Sequence, residues 1–335
     1  MNTEEFSYHL PADLVAFYPE ERRDCCNLMV VDRNNGNIQH RNFYELKDIL
    51  HEGDSLVLNN TKVIPARLYG KRDSGKRIEV FLVDKINTRI WKCLVRNPKA
   101  GMEIKFERGV SGKLNKNGRD EWSIVFQSGV DEYVGRYGKM PLPPYITREP
   151  EEADNVYYQT VYARESGAIA APTAGLHFSD ELLSRLEKIG VEINYLTLHV
   201  GIGTFKPVKT ARIEDHHMHE EYREIPEETS RAINRAKQER RRVIAVGTTA
   251  VRALESSVDN SGNLRSSSGF TDLFIYPGFQ FKVVDVLLTN FHLPRSTLMM
   301  LVSAFAGKEL IFKAYKEAIE KRYRLLSYGD AMLIV

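Results

Sequence analysis

Cysteine is scarce in this chain: three occur in 335 residues, and two of them, Cys25 and Cys26, are neighbours. Adjacent cysteines rarely meet disulfide geometry, so a cross-linked secreted scaffold is excluded and a reducing compartment is expected. Long apolar runs are missing as well. The longest, Leu298–Ala306, already contains a serine and falls well short of a bilayer span. The amino-terminal residues MNTEEFSYHLPADL are polar and acidic, unlike a signal or transit peptide, so no membrane association and a cytoplasmic location are expected. There is no G-x-G-x-x-G and no P-loop pattern, which leaves dinucleotide and ordinary ATP chemistry without support. What remains is an ordinary globular composition, 42% apolar and 27% charged, which excludes a disordered chain. The length exceeds what one core usually serves, so two domains are expected.

Strong net charge is also absent, at +2, but the balance conceals an asymmetry. Residues 66–150 hold 18 Lys or Arg against 10 Asp or Glu, a surplus of +8, which leaves −6 for the remainder. One part of the molecule is therefore suited to a polyanion, although a solvated basic surface explains the count equally well.

The same segment has its own pattern. Short alternating runs at Arg77–Val83, Ile90–Val95, Met102–Phe106 and Trp122–Phe126 are separated by turn residues, with no convincing helix. This predicts a small antiparallel β-barrel or sandwich, closed off by the stiff passage Met140–Tyr145. Elsewhere strands and helices alternate. Strands are predicted at Leu28–Asp32, Asn37–Phe43, Ser55–Leu58, Ala168–Ala171, Val191–Val200, Val243–Val246, Leu273–Tyr276, Val286–Thr289 and Ala331–Val335. Helices are predicted at Glu45–Leu50, Asp180–Ile189 behind an N-cap at Ser179, Glu227–Arg240, from Ala250, Thr297–Ala306 and Ile311–Tyr323. The expected fold class is α/β: a discontinuous α/β domain with a mostly parallel or mixed sheet, residues 1–62 and 151–335, and an inserted basic β-barrel domain, residues 63–150. A separate amino-terminal domain is the alternative.

In open α/β sheets ligands bind beyond the carboxyl ends of the strands. Five predicted strands here run into small or polar residues. These are Asn59, Asn60 and Thr61; Thr173, Gly175 and His177; His199 with Gly201, Ile202, Gly203 and Thr204; Gly247, Thr248 and Thr249; and Asn290 with His292. One such end means little, but five point to a shared cleft. Gly247-Thr248-Thr249 before a helix is either a plain N-cap or an anion cradle, to which Arg252 would add charge. His199 reads equally well as a core histidine. His216, His217 and His219 lack the H-E-x-x-H order, so no metal is expected. His217 and His219 on a strand-like run would face one way and line substrate.

Together these stretches resemble the S-adenosylmethionine:tRNA ribosyltransferase-isomerase family of queuosine biosynthesis. The resemblance is carried by LVLNNTKVIPARL (56–68), GKMPLPPYI (138–146), YYQTVYA (157–163), AAPTAGLHF (170–178), LTLHVGIGTFKPV (196–208), HHMHEEY (216–222), VIAVGTTAVRALE (243–255), TDLFIYPGFQFKVVD (271–285), LLTNFHLPRSTLMMLVSAFAG (287–307) and SYGDAMLI (327–334). Asn27 stands where the family usually has arginine, and Ala250 where it commonly has serine.

The resemblance implies a transferase-isomerase. It would move the ribosyl unit of S-adenosylmethionine, a consumed co-substrate and not a cofactor, onto 7-aminomethyl-7-deazaguanine in a tRNA anticodon. Epoxyqueuosine would form while adenine and methionine leave. For that chemistry His177 or His199 is the expected base that takes a proton from C5′, with His292 and Asn290 at the purine. Thr248, Thr249 and Arg252 would hold the carboxylate, and Asp330 a substrate hydroxyl. Asn59, Thr61, Thr173, Gly175 and Gly247 would line the cleft. Lys71, Arg72, Lys76 and Arg77 would grip tRNA phosphates. A monomer is expected. Competing functions are a metal-dependent hydrolase and a non-catalytic RNA-binding protein. The enzyme reading requires His177, Thr248 and Asn290 to share one pocket.

Overall fold

A computed structural model describes residues 1–335 except 119, 120, 202 and 204–206. Two compact units are present: Met1–Lys62 with Pro143–Arg148 and Gln159–Val335, and Val63–Leu142 with Glu149–Tyr158. The proline-rich passage is thus divided, its Pro143–Arg148 part packing with the larger unit.

The larger unit is built on a nine-stranded mixed sheet. Its strands are β1 (Asn27–Val31), β2 (Ile38–Asn42) and β3 (Ser55–Asn59), then, beyond a short β4 (Thr61–Val63) and the smaller unit's β5–β10, β12 (Glu192–Leu198), β13 (Glu221–Ile225), β14 (Val243–Val246), β15 (Ser267–Thr271), β16 (Val286–Asn290) and β17 (Ala331–Ile334). A short strand, β11 (Glu165–Ala168), lies outside the large sheet. The order across the sheet is β15-β13-β12-β3-β14-β16-β17-β1-β2. At its centre β12, β3, β14 and β16 run parallel, so their carboxyl ends reach one edge together.

Alternation along the strands feeds two apolar layers, because successive side chains point to opposite faces. Val57, Leu196, Leu198, Ala245, Leu287 and Met332 pack on one side, against helices α4 (Glu227–Gln238), α5 (Thr248–Glu255), α6 (Thr297–Ala306) and α7 (Lys308–Glu320). Leu56, Leu58, Ile244, Val246, Leu288 and Leu333 pack on the other, with α3 (Asp180–Lys188). The smaller helices α1 (Asp131–Tyr137) and α2 (Asp154–Tyr157) belong to the second unit. Ser179 caps α3 by accepting from the Leu182 N–H at 3.1 Å.

That second unit is a closed six-stranded antiparallel barrel, in the order β10-β7-β6-β5-β8-β9. Its strands are β5 (Arg67–Arg72), β6 (Arg77–Lys85), β7 (Ile90–Val95), β8 (Glu103–Lys105), β9 (Ser111–Lys116) and β10 (Trp122–Phe126). Leu68, Val80, Leu82, Cys93, Ile104, Leu114 and Ile124 fill the interior.

Several sequence expectations are corrected. The strand expected at Ala168–Ala171 ends at Ala168, because Gly167 and Ala168 close the short β11 and the chain then turns into Pro172. Leu273–Tyr276 is not a strand; the strand lies at Ser267–Thr271, paired with β13, although its composition is polar. Helix α1 and strands β5 and β9 were not expected.

Candidate active site

The strand-end residues gather along the carboxyl edge of the central parallel strands. Asn59, last residue of β3, makes all the bonds an amide can make. Its Nδ2 donates to Leu198 O at 2.9 Å and Thr249 Oγ1 at 3.2 Å, and its Oδ1 accepts from Leu198 N at 3.0 Å and Thr61 N at 3.1 Å. It is a clamp joining β3, β12 and α5, with no capacity left over for a substrate. Thr61 meets His199 Nδ1 at 2.8 Å, and the His199 ring stacks on Tyr222 with centroids 5.5 Å apart. His199 is half-buried. Desolvation depresses its pKa, against the opposing pull of Glu165 and Glu224.

Gly247 has φ of +87°, a left-handed conformation that a glycine adopts without strain, and it turns β14 directly into α5. No side chain caps that helix. Thr248 and Thr249 at its start line a depression of about 340 Å³ together with Thr173, Thr289, Asn290 and His292. An adjoining depression of about 320 Å³ shares Thr173, Asn290 and His292 and adds Tyr145, Phe291 and Ser327. The site is therefore two-lobed, with Asn290 on the common wall.

Thr248 and Asn290 share a depression as expected, but His177 lines neither one: it lies behind the wall, hydrogen-bonded to Asn290 and 5% exposed. It is carried by a short 3-10 helix, Thr173–His177, and pairs with Asn290 Nδ2 at 3.0 Å and Cys26 Sγ at 3.2 Å. Burial, reinforced by the Arg23 and Arg324 guanidiniums, pushes its pKa down to about 3. His292 is likewise buried and pushed to about 3, by desolvation, with Nε2 2.8 Å from Thr289 Oγ1. Both imidazoles are neutral at ordinary pH. The space over Gly175 is occupied by the Tyr162 hydroxyl, so its lack of a side chain serves packing.

Other expected residues stand elsewhere. Arg252 is buried in an ion pair with Glu221, which also accepts from the Gly201 N–H at 2.7 Å. Its Nε donates to Leu273 O, while Nη2 is buried without a partner among the described residues. Asp330 is 1% exposed, and its carboxylate accepts from the Asn27 backbone and side chain and from the Arg324 N–H. It holds the fold together at this point and lines neither depression, though its backbone carbonyl faces Asn290 on their common wall. His217 and His219 do not lie on a strand. Residues 216–220 have no regular structure, both side chains are exposed, and β13 begins only at Glu221. The run lacks the ladder that would impose alternation, so the strand argument for a common face does not apply to it. Among the described residues no group of three or more His, Cys, Asp or Glu could hold a metal ion. Ile202 and Thr204 lie outside the described residues. In the barrel, Lys71, Lys76 and Arg77 are exposed, whereas Arg72 donates to Arg96 O at 2.9 Å.

Sequence reasoning missed Cys26, Thr289, Tyr145 and Glu221. Cys26 gave only the signal of a rare residue type, and Glu221 was hidden in the histidine run.

The sequence profile of a family described as queuosine biosynthesis protein matches residues 3–334. The chain belongs to this family. A relative from Trichlorobacter lovleyi, named S-adenosylmethionine:tRNA ribosyltransferase-isomerase, is 50% identical over the full length of both chains. Proteins of the same name from Aquifex aeolicus and Thermotoga maritima are each 49% identical, again over the full length of both. A crystal structure titled S-adenosylmethionine tRNA ribosyltransferase, from Thermotoga maritima, matches with a TM-score of 0.57 and 38% identity, covering 99% of this chain and 100% of that one. As a member of this family the chain is an enzyme of transferase and isomerase type, and its mixed sheet and closed barrel fit the expected class. No helix among the described residues is long and apolar enough to cross a membrane.

Proposed function

We propose that this enzyme transfers the ribosyl group of S-adenosylmethionine to 7-aminomethyl-7-deazaguanine in a tRNA anticodon and isomerises it to an epoxycyclopentanediol. The products are epoxyqueuosine in RNA, free adenine and methionine. The observation that carries the reading is the meeting of Thr173, Thr248, Thr249, Asn290 and His292 around one depression at the carboxyl edge of parallel strands.

The sulfonium acidifies the neighbouring C5′ carbon, so a base that is neutral at working pH can take a proton there. Of the three histidines, His199 fits best. It is half-buried, and burial lowers its pKa and so favours the neutral form, although the ring lines neither depression. With the Thr61 hydroxyl turned to Glu165 O, its Nδ1–H donates to Thr61, which leaves the lone pair on Nε2, beside Gly167. His177 and His292 are tied to neighbours and too weakly basic. The uncapped start of α5 offers backbone N–H groups to the methionine carboxylate. The barrel, through Lys71, Lys76 and Arg77, attracts tRNA phosphates. No cofactor takes part, and the enzyme acts as a cytoplasmic monomer.

The test is incubation with base-modified tRNA and S-adenosylmethionine labelled either in the ribose or in the methyl group. Ribose label enters RNA, methyl label does not, and adenine appears in equal amount. Methyl label in RNA, or no label at all, ends the reading.

A further inference from the structure

His177 and Asn290 determine each other's hydrogen positions. Two backbone carbonyls, Leu326 O at 3.4 Å and Asp330 O at 3.5 Å, face Asn290 Nδ2, so that end of the amide is the amine. Its other end, Oδ1, accepts from the Thr173 hydroxyl at 2.8 Å. The amine donates to His177 Nε2. A neutral imidazole has one donor nitrogen and one acceptor, so with Nε2 accepting, Nδ1 carries the hydrogen. The atom in front of Nδ1 is the Cys26 sulfur at 3.2 Å, 4% exposed with its residue. Burial raises the Cys26 thiol well above its ordinary range and lowers His177, so neither partner ionises near neutral pH. A general base needs an unengaged lone pair, and His177 has none.

We propose that Cys26 and His177 are positioning residues. They lock the Asn290 carboxamide so that its carbonyl oxygen, not its amine, faces the substrate site. That oxygen has a second lone pair beyond the one used by Thr173. Asn290 and Thr173 both stand on the wall shared by the two lobes, so the locked amide presents an acceptor there and selects a hydrogen-bond donor on a bound nucleoside. A reversed amide would set its oxygen against two carbonyls, would require the Nε2–H tautomer of His177 with the Cys26 thiol donating to Nδ1, and would offer the pocket a donor instead. The identity of the nucleoside rests on the ribosyl transfer proposed above; the relay itself does not.

Glutamine at position 177 can accept from the Asn290 amine but cannot act as a base. His177→Gln is therefore expected to keep kcat within about tenfold of the parent, with His177→Ala falling by a further factor of about a hundred. Equal collapse of both overturns the proposal. Cys26→Ser, which still accepts from Nδ1–H, should restore the KM for S-adenosylmethionine that Cys26→Ala raises; no difference between these two variants also overturns it. Should the variants fail to fold, heteronuclear NMR of histidine-labelled parent enzyme decides the matter. His177 must appear as the neutral Nδ1–H tautomer through the neutral pH range. An Nε2–H tautomer, or titration near neutrality, sinks the relay whether or not ribose is transferred. Conversely, a correct tautomer without ribose transfer sinks only the function proposed above. Competition by S-adenosylhomocysteine and by its inosine and deoxyribose counterparts identifies the donor as the group whose loss weakens binding to the parent but not to Asn290→Ala. If all three bind the parent alike, the carbonyl accepts nothing and the assignment fails.

Discussion

Replacing Glu221 with alanine removes the counter-charge of a guanidinium that solvent barely reaches. Glu221 is 4% exposed and Arg252 3% exposed. Breaking a buried pair on one side typically costs about 3–5 kcal/mol, because the remaining charge cannot rehydrate. Two further facts place the loss towards the upper end. Glu221 also accepts from the Gly201 N–H, which would lose its acceptor. Arg252 Nη2 already lacks a partner among the described residues, so it supplies no compensating bond there. At roughly 2–4 °C per kcal/mol for a domain of this size, the midpoint should fall by about 10 °C. Thermal unfolding followed by circular dichroism, together with urea titration, measures both quantities. The double variant Glu221→Ala with Arg252→Met carries no unpaired charge, so it should be more stable than Glu221→Ala alone. A loss below about 1 kcal/mol in the single variant, or simple additivity in the double, refutes the electrostatic account.

Changing His199 to alanine should lower kcat by roughly a hundredfold or more while S-adenosylmethionine still binds in calorimetry. Because the His199 pKa is depressed, its free base is present at neutral pH; kcat/KM should be level above about 6.5 and fall only as the pH drops below that. A rate already falling as the pH drops from 8 to 7 argues against His199 as the base. Neutralising Lys71, Arg72, Lys76 and Arg77 together should flatten the salt dependence of tRNA affinity, each lost phosphate contact contributing about 0.7–0.9 to the logarithmic slope. Since Arg72 is occupied by backbone carbonyls, a change of about 2–3 is expected in filter-binding assays, and an unaltered slope rejects the assignment. Asn59→Ala should cost about 3 kcal/mol or more in urea unfolding, because four buried groups lose their partner.

The parts of the fold legible in the sequence were those where apolar side chains mark the inward face. β7, β10, β14 and α6 fall where alternation and helical spacing place them. β5 and β9 escaped because their inward positions include Gly70 and Gly112. A β-carbon on Gly70 would lie 2.6 Å from Ile104, and one on Gly112 would lie 2.7 Å from Ile124, so the barrel is filled there by a neighbour's side chain. A hydrophobic pattern cannot register a position whose contribution is to leave room. β15 escaped for a different reason: Ser267–Thr271 is a polar edge strand, held mainly by its ladder to β13. In the site, the polar strand ends were legible because each follows an apolar run. Their division of labour was not. Asn59 is saturated, and Asp330 engaged, by backbone groups and by the Thr249 and Asn27 side chains, and a sequence shows that a residue is polar without showing which partners already satisfy it. Cys26 lies far along the chain from His177, so nothing local signals their pairing.

β17 lies between β16 and β1, antiparallel to the first and parallel to the second. The β1–β2 hairpin precedes β17 in the chain, yet it is joined to the rest of the large sheet through that strand. Without β17 one flank of the hairpin is unpaired, and the Asn27–Asp330 bonds cannot form. One strand thus both completes the large sheet and, through Asp330 just before it, ties the start of β1 to the backbone carbonyl that faces Asn290.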